Sequence, residues 1–487
     1  MSVEEPTSAV FDDSRLVAGD QTALEPSAQS TVPWQRRVRR WFYHRLVRLL
    51  MLAHNTALAL AKGFGRRPQS RTPGRGYQIL LTGRFGSENW AMAFLRPLAA
   101  SHLCKHLTVI STYPLPPIAN VTTVHPPAWL LRMLGATLAR LLVFVWTALW
   151  RRPDIVGGFH IKVNALVAAV LAPLIGARAI YVCVGGPTEV LDGGIWGEGT
   201  FFEGMETPDA TVEKRLLRSV AACDAVITMG TRAAAFFRSQ GVPSCIHVVP
   251  GGIDMSSFSP GWGEPSTDLV FLGRLVEVKR VDLFLEVVAR VAKRLPNVKA
   301  AIIGDGPLRQ TLEGQTRDLG IWKHVTFIGF APDVGDCLRR MRIFVLTSHS
   351  EGLALSLMEA MTCGLPAVVA NVGDLGDLVA DGVNGYLVTE RSPEAFASRI
   401  VDLLTDSAKY AAFSLAARRS ALRYETAAAV RRWDDLLARL GVGAQPRRLP
   451  PLVGVRAPGI RSDVPPENCT KWSESSGRQK GRKGALV

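Results

Sequence analysis

Short apolar runs closed by glycine recur along this chain, and stretches with helical spacing fill the gaps between them. The first run is Tyr77–Leu81, followed by the turn LTGRFGSEN and a helical stretch from about Trp90. Strand-like runs follow at Ile155–Val156, Ala165–Ile175, Ala179–Val184, Ala225–Met229 and Ile246–Val249, with helices near Val212–Ala222 and Thr231–Gln240. After Pro250-Gly251-Gly252 and the Pro/Gly-rich Ser257–Ser266, a second cycle opens at Asp268–Phe271. It continues through Val298–Ile303, Val325–Ile328, Ile343–Leu346, Ala367–Ala370 and Gly385–Val388. Helices between buried strands imply right-handed crossovers and a parallel sheet. Two such cycles predict an α/β protein of two Rossmann-like, parallel-sheet domains facing a central cleft, where ligands of such sheets bind.

The pattern divides the chain into a disordered leader (1–33), a basic helix with its linker (34–76), two sheet domains (77–250 and 251–425), a C-terminal helix (426–441) and a disordered basic tail (442–487). At about 100° per residue, Val38, Phe42, Leu46, Leu49, Leu50 and Ala53 share one arc of the first helix, with Arg39 intruding. Arg36, Arg37, Arg40 and Arg48 lie opposite. That pattern fits a helix docked on the fold and equally one lying on an anionic surface. Residues 133–150 have nearly the length and apolarity of a membrane span. Arg132, Ala136, Arg140, Thr147 and Arg151 nevertheless fall within about 100° of one another, a polar stripe that a lone span would expose to lipid. Burial in the fold or a place in the membrane interface are the other readings.

Composition sharpens this picture in two places. The net charge is +15, yet Ser27–Pro153 holds eighteen Lys/Arg and one acid, Glu88, so the basicity is local. A basic block beside apolar stretches suits an anionic membrane surface better than nucleic acid. The seven cysteines are scattered with no C-x-x-C pair, which fits a reducing cytoplasm and offers no zinc knuckle. The start, MSVEEPTSAVFDD, lacks the basic n-region of a secretory signal. The expectation is a cytoplasmic protein, peripheral on the inner face of the membrane.

Three motifs carry chemistry. In SHSEGLALSLMEAMTCGLP, Glu351 precedes a helix beginning near Ala354, and Glu359 sits about a turn and a half inside it. Gly352 allows close backbone approach, and the free N–H groups near Leu353, Ala354 and Leu355 suit a phosphate. The two carboxylates then accept from hydroxyls of a sugar and a ribose, or are simply a capping acid and a solvated one. In FLGRLVEVKRVD, a strand ends in Gly273 with Arg274 and Lys279 beyond it. Two cations there would neutralise a diphosphate, or be ordinary surface charges. IIGDGPLRQTLE supplies a strand-to-helix turn at Gly304, Gly306 and Pro307. Gly83-x-x-Gly86 opens the first domain without the spacing of a dinucleotide fingerprint.

The order and spacing of GRLVEVK, GDGPLRQTL, VTFIGF, EGLALSLMEAMTCGLPAV and DGVNGYLV resemble the retaining, nucleotide-sugar glycosyltransferases of family four (glycosyl transferases group one), of GT-B fold, over about residues 245–390. The resemblance implies that Arg274 and Lys279 hold the donor diphosphate, Glu351 contacts the transferred sugar beside Gly352, Leu353 and Ala354, and Glu359 binds the ribose. It implies a nucleotide-sugar substrate, a glycan or lipid-linked acceptor, and no metal. His160 becomes a candidate for the donor sugar or reacting centre, one residue later than the family's D-x-h-x-x-H pattern in PDIVGGFH, or else a packed structural histidine. Gly83, Gly86, the run Gly185-Gly186-Pro187-Thr188-Glu189 and the loop GGIWGEGTFFEG fall on the acceptor side. Three positions depart from the pattern: Arg280 replaces the usual Gly, Ala354 the usual Gly or Pro, and Asp377 the Glu of the GGxPE turn. A GT-B epimerase and a catalytically idle membrane scaffold are the rival readings.

Overall fold

The computed structural model describes residues 34–66, 76–85, 87–195, 205–261 and 263–441. The leader, residues 67–75 of the linker, Gly86, most of the GGIWGEGTFFEG loop and the tail lie outside the described residues.

After helix α1 (Trp34–Phe64), the first domain runs β1 (Tyr77–Thr82), α2 (Glu88–Ala99), β2 (Cys104–Ile110), β3 (Val121–Val124), α3 (Ala128–Arg151), β4 (Ile155–Phe159), α4 (Leu166–Ile175), β5 (Arg178–Cys183), α5 (Ala210–Ala221), β6 (Ala225–Thr228), α6 (Thr231–Ser239) and β7 (Cys245–Val248). All seven strands are parallel, in the order β3-β2-β1-β4-β5-β6-β7. The second domain runs β8 (Thr267–Leu272), α7 (Val281–Arg294), β9 (Ala300–Ile303), α8 (Arg309–Asp318), β10 (Val325–Gly329), α9 (Val334–Arg339), β11 (Met341–Leu346), α10 (Leu355–Thr362), β12 (Ala367–Ala370), β13 (Gly385–Val388), α11 (Pro393–Thr405) and α12 (Ser407–Ala421). Its six strands are also parallel, in the order β10-β9-β8-β11-β12-β13. The last helix, α13 (Thr426–Gly441), returns to the first domain and packs on α2. Trp433, Leu436, Leu437 and Leu440 are buried there, and the Ser101 hydroxyl donates to Asp434 at 2.5 Å.

Each sheet reverses its winding at one place, between β1 and β4 and between β8 and β11. Loops leaving the two central strands diverge there and open a crevice at the carboxyl edge. The crevices hold Gly83 and His160 in one domain and Arg274 and Glu351 in the other. Strands β4, β5, β6 and β12 are buried along their whole length, which is why they read as continuous apolar runs.

The run Ala165–Ile175, which reads as strand-like, is instead helix α4 (Leu166–Ile175), because an unbroken apolar run does not by itself tell a buried strand from a buried helix, and two strands carry too weak a pattern to be read at all. Strands β2 and β3 carry no clear apolar run: CKHLTVI is polar in its first half, and VTTV is a half-buried edge strand. Of the polar stripe, the middle faces inward, since the buried Arg140 donates from Nη1 to Thr82 Oγ1 (2.7 Å) and Asn164 Oδ1 (2.8 Å), with Phe144, Thr147 and Ala148 buried beside it, whereas Arg132, Ala136 and Arg151 are exposed. The helix turns its apolar side outward, and Gly135, at φ +73°, kinks it near its start.

Candidate functional site

The loop after β8 carries Gly273 and Arg274, and the GDG turn after β9 supports it from below. A Cβ on Gly304 would collide with the Gly273 carbonyl, and one on Gly306 with the Leu275 carbonyl, so both positions require glycine. The Leu275 amide donates to the Asp305 carbonyl at 2.9 Å. The turn therefore seats the loop that carries Arg274. Burial pulls the Arg274 guanidinium below its ordinary range, Arg84 adds to this, and Glu351 opposes it. Arg84 is exposed in the loop after β1, so cations from both domains meet at the crevice.

Lys279 reaches across to the β11 loop, where its Nζ donates to Glu351 Oε1 at 2.7 Å and Oε2 at 2.9 Å. Both side chains are largely buried, at 19% and 8% exposure. Arg280 follows in the left-handed conformation, φ +49°, which explains why glycine is at home at this position. Its strain is offset by paired hydrogen bonds from Nε to Asp282 and by the Thr347 hydroxyl, which donates to the Arg280 carbonyl at 2.8 Å.

Gly352 packs on the other domain. A Cβ there would collide with the Val184 carbonyl, and Gly186 lies against the Glu351 carbonyl. Thr188 and Ser350 hydroxyls meet at 3.0 Å in the same seam. Of the two glycines expected on the acceptor side, Gly186 thus lies directly against the Glu351–Gly352 turn, and Gly185 lies against the Glu189 side chain. Leu353 and Ala354 are buried, and Ala354 caps α10 with no side-chain hydrogen bond.

Glu359 is buried in α10, and burial pushes its carboxyl up to about 8, opposed by a hydrogen bond from the Asn89 side chain of α2. It lines a cavity of about 380 Å³ between the domains, together with Asn89, Arg96, Pro332, Asp333 and Leu355. Arg274, Lys279 and Glu351 lie outside that cavity. The expected donor set is therefore divided between an open chamber at Glu359 and a closed pair at Lys279–Glu351.

Across the crevice, Gly83 lies against Phe159, and His160 sits in an unusual conformation, φ +64°. His160 Nδ1 is 3.0 Å from Glu189 Oε1. Glu189 also accepts from Ile161 N (2.8 Å), Tyr181 Oη (2.8 Å) and Gly185 N (2.6 Å). Burial alone would raise the Glu189 carboxyl, but His160 and these amides hold it below its ordinary range. An ionised carboxylate only accepts, so Nδ1 carries the hydrogen and Nε2 is left for another partner. Glu189 appeared in the sequence only as the end of GGPTE. Its TE tail, beside the His160 strand, was the only signal.

Asp377, which departs from the family's Glu, caps α6 of the other domain: the Thr231 amide and hydroxyl donate to its two oxygens, each at 2.5 Å. Asp374 accepts from Ala233 N at 3.1 Å, and burial lifts its carboxyl to about 6. Among the described residues no three His, Cys, Asp or Glu side chains converge as metal ligands.

The glycosyl transferases group 1 family matches residues 253–420. A D-inositol 3-phosphate glycosyltransferase of Segniliparus rotundus is 31% identical over 230 residues, covering 44% of this chain and 51% of its own length. The GDP-mannose-dependent alpha-(1-6)-phosphatidylinositol monomannoside mannosyltransferase of Mycolicibacterium smegmatis is 28% identical over 234 residues, 43% of this chain and 61% of that protein. The chain spans about half the length of the curated relatives it matches. Among solved structures, Anabaena HepE with UDP-glucose aligns at a TM-score of 0.56 and 20% identity over 75% of this chain and 99% of its own. Sucrose-phosphate synthase of Thermosynechococcus elongatus aligns at 0.61 and 17% over 74% and 98%. The fold is GT-B.

Proposed function

We propose that this GT-B protein, with its glycosyl transferases group 1 domain, moves a hexose from a nucleoside diphosphate to a hydroxyl of a glycan or lipid-linked acceptor, with retention of configuration. The observation that carries the reading is the Lys279–Glu351 pair, held at the switch point of the second sheet with Arg274 in electrostatic reach. A diphosphate entering there meets Lys279 as a point charge, Arg274 as a fork and the first amides of α10. Glu351 then accepts from a hydroxyl of the sugar, and Glu359 from the ribose.

As the bond from the anomeric carbon to the diphosphate oxygen breaks, these cations stabilise the departing charge. No carboxylate is assigned as a nucleophile, so the acceptor oxygen attacks from the face that the diphosphate leaves and gives its proton to that phosphate. His160 contacts the donor sugar through Nε2. Protein cations meet the diphosphate charge, and the reading needs no metal. The protein acts at the cytoplasmic leaflet, as a peripheral protein.

The test is incubation with radiolabelled nucleotide sugars, with and without membrane lipid extract. Label transferred to an acceptor supports the reading. A changed nucleotide sugar formed without acceptor assigns an epimerase instead, and no turnover of any donor assigns an idle scaffold.

A further inference from the structure

Helices α1 and α3 are each apolar on two opposite faces. In α1 the inner face, Val47, Met51, Leu58 and Ala61, is buried against α4 and α5. Its docking is fixed by polar contacts: His44 Nδ1 and Arg48 Nε reach Asp209 at 2.7 and 2.8 Å, and the Asn55 amide donates to Ser219 Oγ at 3.1 Å. At about 100° per residue, Trp41, Phe42, Leu49, Leu52 and Leu60 lie roughly opposite that face, and all are exposed. In α3 the inner face is Arg140, Phe144, Thr147 and Ala148, whereas Leu138, Leu142, Trp146, Leu149 and Trp150 point away from it, with Trp146 68% and Trp150 79% exposed.

A helix with two apolar faces needs two partners, and the protein body supplies one. Of the twenty-five large hydrophobic side chains exposed among the described residues, nine lie on α1 and eight on α3. Both helices pack on α4, so their bare sides lie on the same face of the seven-stranded sheet. A patch this concentrated marks an interaction surface.

Charge selects the partner. The same stretch of chain, Ser27–Pro153, holds eighteen Lys/Arg and one acid, and Arg132, Arg151 and Arg152 flank the exposed tryptophans of α3. A second copy would bring like charge against like charge across a two-fold interface. An anionic bilayer offers phosphates to the arginines and an interfacial layer to the tryptophans. Spanning is excluded by the inner face: lifting α3 out of the fold would strip Arg140 from Thr82 and Asn164 and expose Phe144.

We propose that the outward faces of α1 and α3 together form one docking surface that lies in the headgroup layer of an anionic bilayer, with the tryptophans of α3 inserted and neither helix spanning. Such helices sit about 5–10 Å into the boundary. The surface is separate from the donor site, so it stands or falls independently of the transfer reaction.

The full-length protein is floated with vesicles of phosphatidylcholine alone or mixed with phosphatidylglycerol, at low and high salt. It should float with the mixed vesicles only, less at high salt, and its tryptophan emission should shift to the blue. Trp146→Glu with Trp150→Glu should weaken binding at least about tenfold, two side chains of this size being worth more than one decade. Calorimetric binding of a nucleoside diphosphate should be unchanged in that variant, which separates loss of docking from loss of fold or donor site. The proposal is overturned if the wild type ignores anionic vesicles at low salt, or if the double variant binds them as well as the wild type does. It is also overturned if light scattering shows a dimer that the variant abolishes, or if bound protein leaves the vesicles only with detergent.

Discussion

Replacing Glu359 with Gln should make the protein more stable in mild alkali, although it removes the group proposed to bind the ribose. In the folded chain burial holds this carboxyl at about 8 against an ordinary 4.5. The unfolded chain therefore releases its proton first, and stability falls as pH rises from about 4.5 to about 8. At about 1.4 kcal/mol per pH unit the gap is worth about 5 kcal/mol at most, a large part of a typical domain's stability. Asp374, lifted to about 6, acts in the same direction but is exhausted above that pH, so the interval from 6 to 8 belongs to Glu359. Denaturant midpoints followed by circular dichroism at pH 6 and 8 should fall in the wild type and stay nearly level in Glu359→Gln. Nucleoside diphosphate affinity should show the complementary effect. Ribose hydroxyls favour the ionised carboxylate, so wild-type affinity should rise between pH 6 and 8 while the variant's does not. Parallel pH curves for the two proteins would refute the argument.

Lys279→Ala and Arg274→Ala should each lower kcat/KM at least about tenfold, because a charge-assisted hydrogen bond is worth about 1.5–3 kcal/mol. Wild-type rates in both, with folding intact, remove the donor assignment. EDTA should leave the rate nearly unchanged, and activity lost to EDTA but restored by Mg²⁺ or Mn²⁺ counts against the family's chemistry here. Glu189→Gln takes away the charge on which His160, Ile161, Tyr181 and Gly185 converge, so steady-state kinetics should show a fall in kcat of at least about tenfold with little change in donor KM. An equal loss in folding and in donor KM would mean that Glu189 only holds the loop together.

The sequence exposed these positions for a topological reason. Arg274, Glu351, Gly83 and His160 each follow a central strand of their sheet, and such strands announce themselves as apolar runs ending at glycine or a charge. Contacts between residues far apart in the chain are hidden from a sequence, so the Asn89–Glu359 contact and the capping of α6 by Asp377, whose partner Thr231 lies 146 residues away, had no local signal. Glu189 was hidden in another way, since a buried acid with four donors looks in sequence like any loop glutamate. Helix α3 shows the limit of periodicity itself. The stripe of Arg132, Arg140, Thr147 and Arg151 was legible, but its direction was not: only Thr82 and Asn164, on β1 and before α4, turn Arg140 inward.

The contacts between the domains tie the crevice to the donor groups. Glu359 is engaged by Asn89 of the first domain, Gly352 is pressed on the Val184 carbonyl, and Thr231 rests on Asp377. Within the second domain, Lys279 is already neutralised by Glu351. On the proposed function, two of the donor groups hold protein partners that imitate part of the ligand: an amide for a ribose hydroxyl at Glu359, a carboxylate for a phosphate at Lys279. Exchanging the Glu351 carboxylate for a donor phosphate would keep the buried Lys279 charge paired, which matters because an unpaired buried charge costs several kcal/mol. A ribose taking Glu359 would also displace its hydrogen bond to Asn89, which joins α10 to α2. On the same proposed function, donor binding at the second domain would loosen that one contact with the first, while the Asp377 and Asp374 caps on α6, the Thr188–Ser350 hydroxyls and the bonds of Arg232 to Gly373 and Asn371 still join the two domains.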